Sequence, residues 1–173
     1  MKKILFTYIL MIATVVVMLT ACEKDDICGA TESTTPKYLI EFYDYEDQDI
    51  AKNGIVEAYV AGREDEIIQS TSNQLSLPLK LDQQETTWIL LIKTTQDQET
   101  IELRDTLTLK YRVNTFYLNK ACGYISTFSL LQDGTSPLLN GKSNTTTGNW
   151  IKQYVTETNE IENEEEAHFK IYY

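Results

Sequence analysis

The chain has 173 residues, 26 of them acidic and 15 basic, for a formal charge of −11 with 42% hydrophobic content. That length suits one domain with a real core. The acidic balance, with no basic cluster, excludes nucleic acid as a partner and argues against binding to anionic lipid headgroups.

Lys2 and Lys3 open the chain, and residues 4–19 are almost unbroken apolar sequence before the small residues Thr20 and Ala21. This is the layout of a secretory signal peptide. A transmembrane helix would need about 20 apolar residues and a charged stop on its far side. Leu19-Thr20-Ala21-Cys22 resembles the bacterial lipobox. The resemblance implies that residues 1–21 are removed and that the Cys22 thiol is acylated, with palmitate among the chains, giving an anchor stronger than one myristoyl group. The alternative is a cut near Ala21 that leaves Cys22 an ordinary thiol. Glu23, Lys24, Asp25 and Asp26 follow. They are similar to the short acidic export signal of Bacteroidetes surface lipoproteins, which implies an outer-membrane protein facing outward. Read as a plain solvated linker, they leave the periplasmic face open.

Residues 1–21 hold two of the basic residues and none of the acidic ones, so the mature chain sets 13 basic against 26 acidic residues. A lipidated Cys22 leaves Cys28 and Cys122. In an oxidising compartment such a pair is expected to be a disulfide; two buried free thiols are the alternative. The bridge would staple the tether to the body of the fold.

Residues 22–36 read as the acylated cysteine and a polar tether, and residues 37–173 as one domain. Tyr38-Leu39-Ile40-Glu41-Phe42-Tyr43 is a strand by composition. Asn53-Gly54 marks a turn before a strand over 55–61. Leu75, Leu77, Leu79 and Leu81 share one face at period 2, and Pro78 assigns that stretch to a sheet edge. Residues 87–93 are apolar enough to be buried on both faces. Residues 106–113 alternate, with Leu107, Leu109, Tyr111 and Val113 inward. Residues 124–131 form a further strand ending at Asp133-Gly134. Residues 132–148 read as a long loop, 150–155 as a short strand, 157–166 as an acidic turn, and 167–173 as the closing strand. With no helical stripe, eight or nine short strands predict an all-β sandwich, immunoglobulin-like or of a similar Greek-key kind.

Chemistry-bearing residues are few. His168 is the one histidine, placed in the last strand out of phase with Phe169, and a packing or surface role is expected rather than catalysis. Gly141-Lys142-Ser143 lacks the first glycine and the strand-to-helix setting of a phosphate loop. Asp44, Glu46, Asp47 and Asp49 lack EF-hand spacing, and a solvated acidic loop is expected there, as in the run from Glu160 to Glu166. No metal site and no cofactor are predicted. Asp105-Thr106-Leu107 matches a short O-glycosylation acceptor pattern of Bacteroidetes. The 11 tyrosines are expected mainly in sheet packing, though aromatic platforms also bind sugars and proteins.

Several stretches together resemble a family of uncharacterised Bacteroidetes lipoproteins known only as a domain of unknown function. They are Cys22-Glu23-Lys24-Asp25-Asp26-Ile27-Cys28, Thr35-Pro36-Lys37-Tyr38 leading to Phe42-Tyr43-Asp44, residues 75–81, Asp105-Thr106-Leu107-Thr108-Leu109, Ala121-Cys122-Gly123-Tyr124, and Ile161-Glu162-Asn163-Glu164 with Ala167-His168. The resemblance implies the lipid site at Cys22 and favours a Cys28–Cys122 pair. It implies no activity. The expectation is a non-enzymatic binding or accessory module of the envelope, held to the membrane by its N-terminal lipid, with an outer-membrane protein or a surface glycan as partner. Two rival expectations are an envelope glycan hydrolase working through paired carboxylates and a structural or adhesive surface subunit.

Overall fold

A computed structural model describes residues 11, 27–29, 33–96, 98–143 and 145–173. The segment read as a signal peptide, Cys22 and the acidic stretch at 23–26 lie outside the described residues, apart from Met11. The chain divides into two compact units, one of residues 1–32 with 117–123 and the other of residues 33–116 with 124–173.

The larger unit is all-β. Among the described residues the chain forms eleven strands: β1 (Tyr38–Tyr43), β2 (Val56–Val60), β3 (Ile68–Gln69), β4 (Gln74–Leu77), β5 (Glu85–Gln96), β6 (Glu99–Asn119), β7 (Gly123–Leu130), β8 (Leu138–Leu139), β9 (Gln153–Thr156), β10 (Glu160–Ile161) and β11 (Phe169–Tyr172). They make a four-stranded sheet in the order β4-β1-β11-β9 and a seven-stranded sheet in the order β10-β7-β6-β5-β2-β3, with β8 added to β6. One apolar cluster joins the inner faces. Tyr38, Ile40, Phe42, Leu75, Leu77, Phe169 and Ile171 come from the first sheet, and Val56, Trp88, Leu90, Leu107, Leu109, Tyr111 and Phe128 from the second. The sandwich expectation holds.

The strand count exceeds the eight or nine expected because β3, β8 and β10 have two residues each, too few to show a period. The leucine stretch is an edge strand, but β4 stops at Leu77. Pro78 removes the next ladder donor, and Leu81 is left 57% exposed. Strand β5 is not buried on both faces throughout. Its Trp88 and Leu90 point inward while Ile89 and Ile92 are half-buried. Strand β6 is far longer than the alternation at 106–113 indicated. Its first half pairs with β5 from Glu99 to Lys110, and Thr115 Oγ1 lies 2.8 Å from Ser126 Oγ where it meets β7.

The first sheet is centred on a parallel pair. Strand β1 lies against β11 with Ile40 opposite Phe169 and Phe42 opposite Ile171. Strands β4 and β9 flank them in antiparallel register. Among the described residues the outermost strands are short: four residues in β4 and β9, two in β3 and β10. Short edges of this kind resist adding another chain.

Candidate functional site

Asp105 sits in the middle of β6 and is fully buried. It shares the inward phase of Leu107, Leu109 and Tyr111, so its carboxylate enters the region where those side chains are apolar. It is completely engaged there. Its Oδ1 accepts from Asn140 Nδ2 at 2.7 Å and from the Asn149 N–H at 2.6 Å. Its Oδ2 accepts from the Trp150 and Ile151 N–H groups at 2.9 and 3.0 Å. Three successive backbone N–H groups thus form an anion-binding concavity, and the chain's own carboxylate fills it. Asn140 returns the link: its Oδ1 accepts from the Thr106 N–H at 2.8 Å. The stretch expected to be a long loop is therefore tied down at its middle, through Asn140, and just past its end, at 149–151, and Trp150 and Ile151 enter the core without being strand residues.

In Asp105-Thr106-Leu107 the structure buries the first residue and leaves Thr106 part-exposed. The Thr106 hydroxyl donates to Asn140 Oδ1 at 3.2 Å. The knot also explains Gly148, where an added Cβ would collide with the Asp105 carboxylate. Gly148→Ala is expected to destabilise the fold by about 1–3 kcal/mol through overpacking. Urea unfolding of the variant beside the wild type measures it, and an unchanged midpoint would count against the knot.

His168 is buried, not at the surface. Its Nδ1 accepts from the Leu39 N–H at 2.9 Å, and its backbone N–H donates to the Leu39 carbonyl at 2.9 Å. Its ring stacks on Tyr38 at 5.6 Å between centroids. The residue stitches the start of the parallel β1–β11 pair, and the segment before it is tied to the chain just ahead of β1, where the Lys37 N–H donates to Glu164. Because Nδ1 is an acceptor, the imidazole is neutral with its proton on Nε2. Burial holds its pKa below the ordinary histidine value, against opposing contributions from the Asn163 backbone and the Glu164 carboxylate. With the folded value lowered, the unfolded chain takes up the proton first. The stability His168 confers is complete above about pH 6.5 and is lost as the pH falls through the folded value, at up to about 1.4 kcal/mol per pH unit. Unfolding between pH 7 and 5.5 should show this slope in the wild type and a shallower one in His168→Asn.

The acidic stretch 44–49 serves its own turn. Asp44 Oδ1 accepts from the Glu46 and Asp47 N–H groups, and its Oδ2 pairs with Lys52 at 2.9 Å. The Lys52 hydrogen bond, followed by those from Glu46 and Asp47, holds this carboxyl below its usual range. Among the described residues no group of three or more His, Cys, Asp or Glu side chains is placed to hold a metal ion. No helix among them is long and apolar enough to cross a membrane.

The larger unit also holds a cleft of about 260 Å³ lined by His168 with Glu160, Glu162, Glu165 and Glu166, and two larger ones. One, of about 480 Å³, is lined by Arg112, Asn114, Ser129, Asp133 and Glu160, together with Leu130, Leu131 and Gln132. Its two carboxylates are already bonded: Glu160 accepts from Ser129 Oγ at 2.6 Å and Asp133 from the Thr135 hydroxyl and N–H. Thr135 holds Asp133 below the usual carboxylate range, the opposite of what a general acid needs. No aromatic ring lines this cleft. The other, of about 370 Å³, is more apolar, with Val60, Ile67, Ile68, Leu79 and Trp88 below Arg63, Glu66 and Lys80. Trp88 Nε1 is buried without a hydrogen-bond partner.

In the smaller unit Cys28 is bonded to Cys122, with Cα atoms 4.8 Å apart and a separation of 94 positions in sequence. The expected disulfide is present. Cys122 is further held by its N–H donating to Asn119 Oδ1 at 2.8 Å.

Comparison with models of protein families matches residues 55–173 to a family of unknown function, DUF6452. The chain belongs to that family. The match spans Asp105, His168 and the loop that Asp105 holds, and it begins just before β2, so β1 lies ahead of it. No curated protein and no solved structure matches the chain.

Proposed function

We propose that the chain is a lipid-anchored protein of the outer membrane, attached through Cys22 and exposed at the cell surface. Its role is that of a non-enzymatic binding or accessory module working beside an outer-membrane protein or a surface glycan. The observation that carries the anchor is Leu19-Thr20-Ala21-Cys22 at the end of the apolar run 4–19. The Cys28–Cys122 disulfide supports export, because such bonds persist in oxidising compartments. The non-enzymatic part rests on how the strongest chemical candidates are used. Asp105 and His168 are both spent on holding backbone together.

The hydrolase reading ranks below it, since the cleft with Asp133 and Glu160 has a lowered carboxyl and no aromatic platform. The adhesive-subunit reading is weakened by the short edge strands.

Cys22→Ser tests the anchor. The variant should lose globomycin-sensitive processing and leave the membrane fraction. A variant that stays in the membrane and matures normally would overturn the lipid site.

A further inference from the structure

We propose that Asn140-Gly141 is a self-modification site, whose deamidation breaks the Asp105 knot and which the folded chain itself protects. The sequence has two Asn-Gly pairs, at 53–54 and 140–141. This dipeptide is the one most open to deamidation, because glycine has no Cβ to shield its nitrogen. The Gly141 nitrogen bonds to Asn140 Cγ. The Cγ–Nδ2 bond breaks, and the amide leaves as ammonia with the proton that the glycine nitrogen gives up. Water then opens the cyclic imide to aspartate or isoaspartate. Water is the one co-reactant, and nothing is oxidised or reduced.

The fold constrains both ends of this reaction. Cγ reaches the Gly141 nitrogen only if the Asn140 side chain lets go of its partners. Its Nδ2 donates to Asp105 Oδ1 at 2.7 Å, and its Oδ1 accepts from the Thr106 N–H and hydroxyl at 2.8 and 3.2 Å. The backbone is held too. With φ at 51° for Asn140 and 75° for Gly141, the pair makes a primed hairpin turn, closed by hydrogen bonds in both directions between Leu139 and Lys142. Asn53 is exposed, and one bond holds its side chain, from the Ser72 hydroxyl to Oδ1 at 2.9 Å. The product at 140 does not fit. Aspartate there sets a second carboxylate against Asp105 with no proton to share, and like charges so placed repel. Isoaspartate adds a backbone atom to a two-residue turn and shifts Leu139 out of register with Leu107. The reaction thus strikes chains that are unfolded or have opened the knot, and a converted chain does not close it again.

The test ages the full wild-type chain, disulfide intact, at mildly alkaline pH in buffer and in urea. Peptide mass spectrometry reads conversion at 53 and at 140. In urea the two sites should convert at similar rates, whereas in buffer Asn140 should lag behind Asn53. The urea-aged chain is then refolded, and protease removes what has not folded. The surviving protein should be depleted of conversion at 140 more strongly than at 53. Asn140 converting in buffer as fast as in urea overturns the protection. Survivors as rich in conversion at 140 as at 53 overturn the damage. Asn140→Asp and Asn140→Ala isolate the charge. At neutral pH the Asp variant should unfold at lower urea than the Ala variant, and the gap should close as acid protonates one carboxyl of the pair. An Asp variant as stable as the Ala variant at neutral pH overturns the clash with Asp105.

Discussion

Replacing Asp105 by alanine is expected to lower the unfolding free energy by about 3–5 kcal/mol, because buried donors lose a charged acceptor and gain nothing in exchange. Four donors converge on this carboxylate, three of them successive backbone N–H groups at 149–151. Backbone donors cannot be mutated away or rotated toward solvent without pulling Trp150 and Ile151 out of the core. Asp105→Asn separates charge from shape. The amide keeps one acceptor but turns an NH₂ group toward N–H donors, so it should fall between alanine and wild type. Trp150 reports the local event, since its ring also donates from Nε1 to the Leu90 carbonyl at 3.2 Å and packs edge-on to Tyr173. Urea unfolding followed by tryptophan fluorescence gives both quantities. A loss under about 1 kcal/mol for the alanine variant, the value of a single ordinary hydrogen bond, would mean that the loop is held by something else.

Reducing the Cys28–Cys122 bond is expected to cost up to about 4–5 kcal/mol, the chain-entropy value for closing a loop of this length. The bond spans 94 positions, so in the unfolded state it joins distant parts of the chain, and its removal acts mainly there. Cys28→Ser, Cys122→Ser and the double variant should therefore lose the same amount, since each abolishes one shared constraint. Denaturant titrations of the three with and without reductant check this. A double variant clearly less stable than either single one would show that the side chains contribute beyond the bond.

Much of the sandwich is legible from period and composition. Strands β1, β7 and β11 fall within a residue or two of where β-branched and aromatic runs place them, and the inward set of Leu107, Leu109 and Tyr111 follows from alternation alone. The features that period and composition miss are polar. Asp105 is one acid among 26, and its tripeptide reads as surface. The available signal is phase: counting back in twos from Tyr111, Leu109 and Leu107 reaches Asp105 before Leu103, so an acid stands on the core face of a strand. His168 is hidden for the opposite reason. Alternation puts it out of phase with Phe169, but the position is buried, stacked on Tyr38 and bonded to Leu39, and a two-period pattern cannot tell a covered position from a wet one. The two-residue strands and the real end of β4 depend on tertiary partners, not on local sequence.

The parallel pairing of β1 with β11 has a consequence for how the molecule comes into being. Ile40 and Phe169 stand side by side in the centre of one sheet, yet β1 is synthesised long before its neighbour exists. Until β11 arrives, β1 has only β4 on one side, and its apolar face waits uncovered. Pairing across so long a stretch of chain is slow and leaves sticky intermediates. The chain therefore completes its first sheet only once β11 has been made.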